Sequence, residues 1–328
     1  MTTTIRSLTN WRNLAPIVFV CLFFVVAAAA PYISPPADPN NPLPFKLVDS
    51  FDINPLPPGP DIPLGTSVYY ESPEMLLHYD VWHSLIWGTR HALRFGLTVA
   101  IFSAIFGILI GAFSGYTGGR TNNLVMRVTD AFLAFPLIAG YWVLAQIIKS
   151  YEWANTMYGL ESVVVQLSSR QRLFAALGVN PLLLAFILFS WMPYARLINA
   201  NMLRLKSTEY VLAARTIGAK PSHIVLRHLI PNAITPVIVL LARDIGGMVI
   251  LLTAFEFIGI GSSITEGISE WGRLLYLGRT WIIGLGGNLL LYWWLYIPVT
   301  LALMLFGIAW NILGDRLNIL INPRQPRS

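Results

Sequence analysis

Three ionisable residues stand inside stretches too apolar for them. Arg243 and Asp244 interrupt LLARDIGGMVILL, and Glu256 interrupts TAFEFIG. An unpaired charge at the centre of a bilayer costs about 2.5–3.5 kcal/mol on insertion scales. Such groups therefore line a substrate pathway or its gate, or they pair with protein. Adjacent residues on a helix point about 100° apart, so Arg243 and Asp244 are poorly placed to pair with each other and each seeks a partner elsewhere. Arg243 lies near the inner end of its run and can also extend its guanidinium to the interface. The neighbouring Gly246 and Gly247 suit a close helix contact. His78 and His83 flank Asp80 as nominal metal ligands, but they read as ordinary interfacial polar residues, and no metal site is expected. The sequence has no G-x-x-x-x-G-K-[ST] phosphate loop, no H-E-x-x-H, no G-x-S-x-G and no C-x-x-C. No catalytic residues and no nucleotide site are therefore expected. The one cysteine, Cys21, excludes an internal disulfide.

A second chemical feature is a basic amphipathic stretch, EYVLAARTIGAKPSHIVLRHLIP, residues 209–231. Ser207 or Thr208 can cap a helix that opens with Glu209 and carries Val211, Leu212, Ala214 and Ile217 at helical spacing. Gly218 permits the left-handed turn that ends it. Pro221 suits the first turn of a second helix, with Ile224, Val225 and Leu229 on one side and His223, Arg227 and His228 on the other. Ala213 and Ala214 leave room for close approach by a partner. Two readings are open on physical grounds: an interfacial connector whose arginines meet anionic lipid, or a docking elbow.

The elements that must position these groups are membrane spans. Of 328 residues, 55% are hydrophobic and 12% charged, with mean hydropathy +0.61, the composition of an integral membrane protein. The net charge of +6 is scattered between apolar runs without interleaved stacking aromatics, which excludes a nucleic-acid surface. A span needs about 20 apolar residues, and six stretches qualify: 14–33, 93–115, 130–149, 181–200, 233–260 and 289–313. The first also resembles a signal peptide ending in AAAAPYIS, and it is read as a retained anchor. With the N-terminus inside, thirteen of the 22 Lys and Arg fall on cytoplasmic segments, from Arg6 and Arg12 through the 201–231 connector to Arg316, Arg324 and Arg327. The acids cluster outside, and six spans with both termini cytoplasmic fit this split. The expected organisation is a cytoplasmic start at 1–13, a first helix at 14–33, an external Pro-rich loop at 34–92, a five-helix core at 93–313 and a cytoplasmic tail at 314–328. A further external insert covers roughly 150–180. Trp293, Trp294 and Tyr296 read as an interfacial belt.

The 209–231 stretch resembles the signature loop of permease subunits of ATP-binding-cassette importers, an E-A-A motif followed by Gly and later by a Leu-Pro pair. Here it reads Leu212-Ala213-Ala214, Gly218 and Ile230-Pro231. Leu212 stands where the motif carries glutamate, with Glu209 the nearby carboxylate. The likeness is closest to the C-type permease of the dipeptide, oligopeptide and nickel branch. It extends through LGT at 64–66, WGTRHALRFG at 87–96, GYTGGRTNNLVMRVTDAFLAFP at 115–136, FEFIGIG at 255–261, EWGRLL at 270–275 and IAWNILGDRLNILINPR at 308–324. The segment SVYYESPEMLLHYD after LGT departs from the branch.

The resemblance implies an all-α type I importer permease of the inner membrane. A second homologous permease, two cytoplasmic ATPase subunits that bind ATP and Mg, and an extracytoplasmic solute-binding protein are its implied partners, with no cofactor on this chain. It implies ATPase docking by Glu209, Tyr210, Leu212, Ala213, Ala214, Gly218, Ala219, Ile224, Arg227, His228 and Pro231. Arg243, Asp244 and Glu256 are the pathway or gate candidates. The alternatives are a stand-alone secondary transporter or channel using those three charges, and a permease-like scaffold without transport.

Overall fold

Helices dominate because a lipid-embedded backbone must satisfy its own polar groups. The computed structural model describes residues 11–38, 45–72, 75–136, 138–140, 142–143, 181–259, 270–283 and 290–321. Its helices are α1 (Trp11–Ile33), α2 (Val81–Thr117), α3 (Gly119–Ala134), α4 (Pro181–Ser190), α5 (Met192–Leu205), α6 (Glu209–Thr216), α7 (Pro221–Ile224), α8 (Ile230–Ala233), α9 (Thr235–Phe257), α10 (Glu270–Ile283) and α11 (Ile297–Ile321). Five stretches among the described residues are long and apolar enough to cross a bilayer: Leu14–Ile33, Val81–Thr117, Leu183–Leu205, Thr235–Phe257 and Trp293–Leu320. The expected span at 130–149 begins within α3 and lies largely outside the described residues.

Element ends differ from the hydropathy windows for local reasons. Helix α2 starts at Val81, not near residue 93, because Asp80 caps it: its Oδ1 accepts from the His83 amide at 3.1 Å. Its first turns carry His83, Arg90 and His91, which depress hydropathy. The stretch expected as one span from 181 is broken at Trp191, since Pro193 cannot donate to the preceding turn. The last span begins later, after a 3₁₀ turn at Trp293–Leu295, and α11 runs on to Ile321 through residues read as tail.

The chain divides into two units, residues 1–97 with 242–316 and residues 98–241 with 317–328. In the first, the segment expected as an external loop holds a three-stranded antiparallel sheet of order β1-β3-β2: β1 (Leu47–Val48), β2 (Thr66–Ser72) and β3 (Met75–Asp80). A buried chain of hydrogen bonds ties it to the preceding loop. His78 donates from Nε2 to the Asp52 carbonyl at 2.8 Å and accepts at Nδ1 from the Thr66 hydroxyl at 2.9 Å. Thr66 Oγ1 in turn accepts from the Leu56 amide. Trp294 is buried and donates to the Thr66 carbonyl at 3.3 Å, a structural role instead of the expected belt, whereas Trp293 is exposed. Buried Trp271 donates to the Leu85 carbonyl and meets Phe306 edge-on, and Phe23 of α1 meets the same ring at 5.0 Å.

In the second unit, α2 and α5 touch backbone to backbone. Gly107, Gly111 and Gly115 repeat every four residues and so share one face of α2. A Cβ at Gly111 would collide with the Ala195 carbonyl and sit 3.0 Å from Ile198 Cβ, and one at Gly107 would sit 2.6 Å from the Trp191 carbonyl oxygen. Without water to drive helix association, such close approach supplies the packing. Asn199 of α5 donates to Ser114 Oγ at 2.8 Å and to Asn122 Oδ1 of α3, locking the register. Gly111→Leu forces these helices apart and should cost at least the 1–3 kcal/mol typical of overpacking. The expected outcome is a lower unfolding temperature and loss of the monodisperse peak in detergent size-exclusion chromatography, while Gly247→Ala, whose Cβ would have nothing within 4 Å in this chain, leaves both unchanged.

Candidate functional site

The elbow begins where α5 ends. Lys206 donates from Nζ to the Gly115 carbonyl at 3.2 Å, holding that end against α2. The Ser207 and Thr208 hydroxyls point backwards, to the carbonyls of Arg204 and Leu205. Neither side chain caps α6; Thr208 sits at the N-cap position, and its carbonyl accepts from the Val211 and Leu212 amides. Glu209 opens α6, where a carboxylate complements the helix dipole. At the other end Gly218 adopts φ 79°. Its amide donates to the Arg215 carbonyl, and the Ala219 amide to the Ala214 carbonyl, both at 3.0 Å. This pair of bonds closes the helix in the Schellman pattern, which needs a left-handed residue that only glycine supplies without cost.

Pro221 is the first residue of α7, as its position predicts. The helix continues through a π turn, Val225–Leu229, into α8. Pro231 explains the widening. It has no N–H for the Arg227 carbonyl, and the Ile230 amide reaches back to Val225. The wide turn brings Ile224 and Leu229, five residues apart, onto one buried face, at 1% and 0% exposure. They pack with Val211 and Ala233 against Tyr194, Ile198 and Met202 of α5. The elbow is thus part of the core of its unit.

The opposite face is open. Glu209, Tyr210, Leu212, Ala213, Gly218, Arg227 and Pro231 are exposed, and Ala214, Ala219 and His228 are half-buried. Ile224 alone of the expected docking residues turns fully inward. Two residues outside that set dominate the tip: Ile217 is 85% exposed and Leu226 67%. Helical spacing groups Ile217 with Val211, but Ile217 stands open because Gly218 ends the helix directly after it; Leu226 lies within the π turn, where no helical period applies. His228 sits between the rings of Tyr210 and His223, at 6.5 and 5.6 Å, and Arg215 lies 5.5 Å over the ring of Tyr116.

The charges within the spans have other surroundings. Arg243 forms an ion pair with Asp315 of α11, both about half exposed, so the partner it seeks lies in the same chain. Asp244 is half-buried. Glu256 is 3% exposed and pressed against Gly272 of α10, where a Cβ would collide with its carboxylate and Cβ. Gly246 faces Gly307 and Trp310 of α11 and is the close contact expected, whereas Gly247 is exposed. His78 and His83 are buried in hydrogen bonds, the latter to Ser34 at 2.8 Å. Among the described residues no group of three or more His, Cys, Asp or Glu could hold a metal.

Residues 107–325, which include the glycine stripe, the elbow and the Arg243–Asp315 pair, match the model of the binding-protein-dependent transport system inner membrane component. The chain belongs to that family. This permease is 30% identical over 246 residues to a putative peptide transport system permease protein of Brucella suis biovar 1, covering 75% of the chain and 70% of that relative. It is 26% identical over 311 residues to the dipeptide transport system permease protein DppC of Bacillus subtilis, covering 94% and 81%. It is also 26% identical over 307 residues to the glutathione transport system permease protein GsiD of Pectobacterium atrosepticum, covering 94% and 85%. The permease is a multi-pass inner membrane transport component, not an enzyme. Its Arg243–Asp315 pair should behave as a unit. Arg243→Ala leaves a carboxylate without its guanidinium and should lower the amount of folded protein in the membrane, and the exchange Arg243→Asp with Asp315→Arg should restore most of it. A double-mutant cycle on unfolding midpoints is expected to give a coupling of about 0.5–3 kcal/mol; zero coupling would rule the pair out as a structural contact.

Proposed function

We propose that the permease forms half of the translocation pathway of an ATP-driven importer for peptides or a similar small solute. A second homologous permease supplies the other half, two cytoplasmic ATPase subunits hydrolyse ATP with Mg, and an extracytoplasmic solute-binding protein delivers the solute. The relatives named for peptide, dipeptide and glutathione transport support the solute class. In this reading six spans carry both termini to the cytoplasm, and the elbow at 207–230 docks on an ATPase subunit.

The observation that carries the docking reading is the pair Ile217 and Leu226, large aliphatic side chains held in the open on an elbow whose other face is core. Exposed apolar surface on a rigid, polar-rimmed element marks a protein contact. Glu209, Arg227 and His228 form the polar rim. Closure of the ATPases on ATP would then move the elbow, and with it α5, switching the spans between inward and outward opening. Such a switch responds to nucleotide only through its differential affinity for the two states. Arg243, Asp244 and Glu256 are the pathway or gate candidates in this reading, with Arg243 held by Asp315 and Glu256 packed on Gly272.

Ile217→Asp places a charge at the tip without touching the core. Uptake of radiolabelled dipeptide should fall at least tenfold, and less ATPase subunit should copurify, while Ile217→Leu retains both. Uptake at the unsubstituted level with the Asp variant overturns the docking role.

A further inference from the structure

The start of α1 and the end of α11 enclose a groove of about 350 Å³, lined by Pro16, Phe19, Leu305, Ile308 and Ile312 and closed at one end by Arg316. Ala15 and Ala309 recess its floor. The aliphatic and aromatic walls are roughly half exposed along their length. Leu305 and Arg316 are eleven residues apart on one helix, roughly 16 Å at 1.5 Å per residue. That matches one leaflet of a hydrocarbon core about 30 Å thick. The groove is therefore as long as one acyl chain layer is deep.

Its cationic end differs from the two arginines on the spans that have carboxylate partners. Arg196 pairs with Asp130 at 3.4 Å, and Arg243 pairs with Asp315. Arg316 is half-buried, and among the described residues no carboxylate pairs with it. The neighbouring Asp315 is held by Arg243. A guanidinium four residues before the end of the apolar span Trp293–Leu320, left without a carboxylate partner beside an apolar trough one leaflet long, fits a phosphate attached to an acyl chain. A second protein chain seated there would cover the trough but leave the cation uncompensated unless it brought an acid to that depth.

We propose that this groove is a binding site for an anionic phospholipid, with one acyl chain along Phe19, Leu305, Ile308 and Ile312 and the headgroup phosphate on Arg316. The proposal rests on the chain being a membrane protein and not on the identity of the transported solute. A lipid held at this site braces the first helix against the last.

The test is native mass spectrometry of the protein purified with its partner subunits, stripped with detergent and re-exposed to dioleoylphosphatidylglycerol or dioleoylphosphatidylcholine. The unsubstituted protein should retain phosphatidylglycerol in preference to phosphatidylcholine. Arg316→Gln should reduce that preference about fivefold, the contribution of one basic residue at an anionic surface, and Arg316→Lys should keep most of it. Ile308→Trp fills the trough from its open side without entering the core and should reduce retention of both lipids. Equal retention of the two lipids by the unsubstituted protein, no retained lipid, or an unchanged preference in Arg316→Gln overturns the proposal.

Discussion

The contact on which the second unit depends is the backbone approach of α5 to α2 across Gly107, Gly111 and Gly115. Lipid offers no hydrophobic gain for bringing two apolar helices together, so the gain must come from close packing and from buried hydrogen bonds. Both are present along the same line: the glycine face, then Asn199 with Ser114 and Asn122, then Lys206 on the Gly115 carbonyl. Since the elbow is continuous with α5 and packs on its buried face, the position of its exposed tip follows from that helix contact. A methyl group in the wrong place on α2 therefore bears on α6, which begins 98 residues beyond Gly111.

The first unit is organised by aromatic and polar anchors. Trp271, Phe306 and Phe23 form a chain of edge contacts through α10, α11 and α1. The small sheet is joined to the rest by His78, Thr66 and Trp294, each satisfied by a main-chain or hydroxyl partner. Arg273 lies over the Tyr79 ring at 4.9 Å and donates to its hydroxyl, fastening α10 to β3. Polar side chains here serve as joints between elements, which is the use a protein makes of polarity where burial of apolar area against lipid counts for little.

What the sequence disclosed follows from how local each signal is. Span positions are set by composition within a window, and the elbow's glycine and proline act on their own turn, so both were legible. The expected helix ends moved where a cap or a proline outweighed hydropathy, as at Asp80 and Pro193. The sheet was hidden because the flanking Pro-rich composition is compatible with loops, and a strand shows itself only through pairing. Asp315 as the partner of Arg243 was invisible for a different reason: 72 residues separate them, and no spacing rule reaches that far. Ile224 shares the buried face with Leu229, the side on which helical spacing groups them; it entered the docking set through the resemblance of the loop alone, which carries no information on which way one side chain turns.

That corner also has a mechanical character. At Gly218 the main chain reverses through a closed pair of hydrogen bonds, and beyond it a run from Pro221 to Ala233 is helical without interruption. A load applied at Ile217 would reach α5 through the packed face of Val211, Ile224 and Leu229. The direction of the displacement is set by the face on which Ile224 and Leu229 bear, which makes a proline-widened turn the fulcrum.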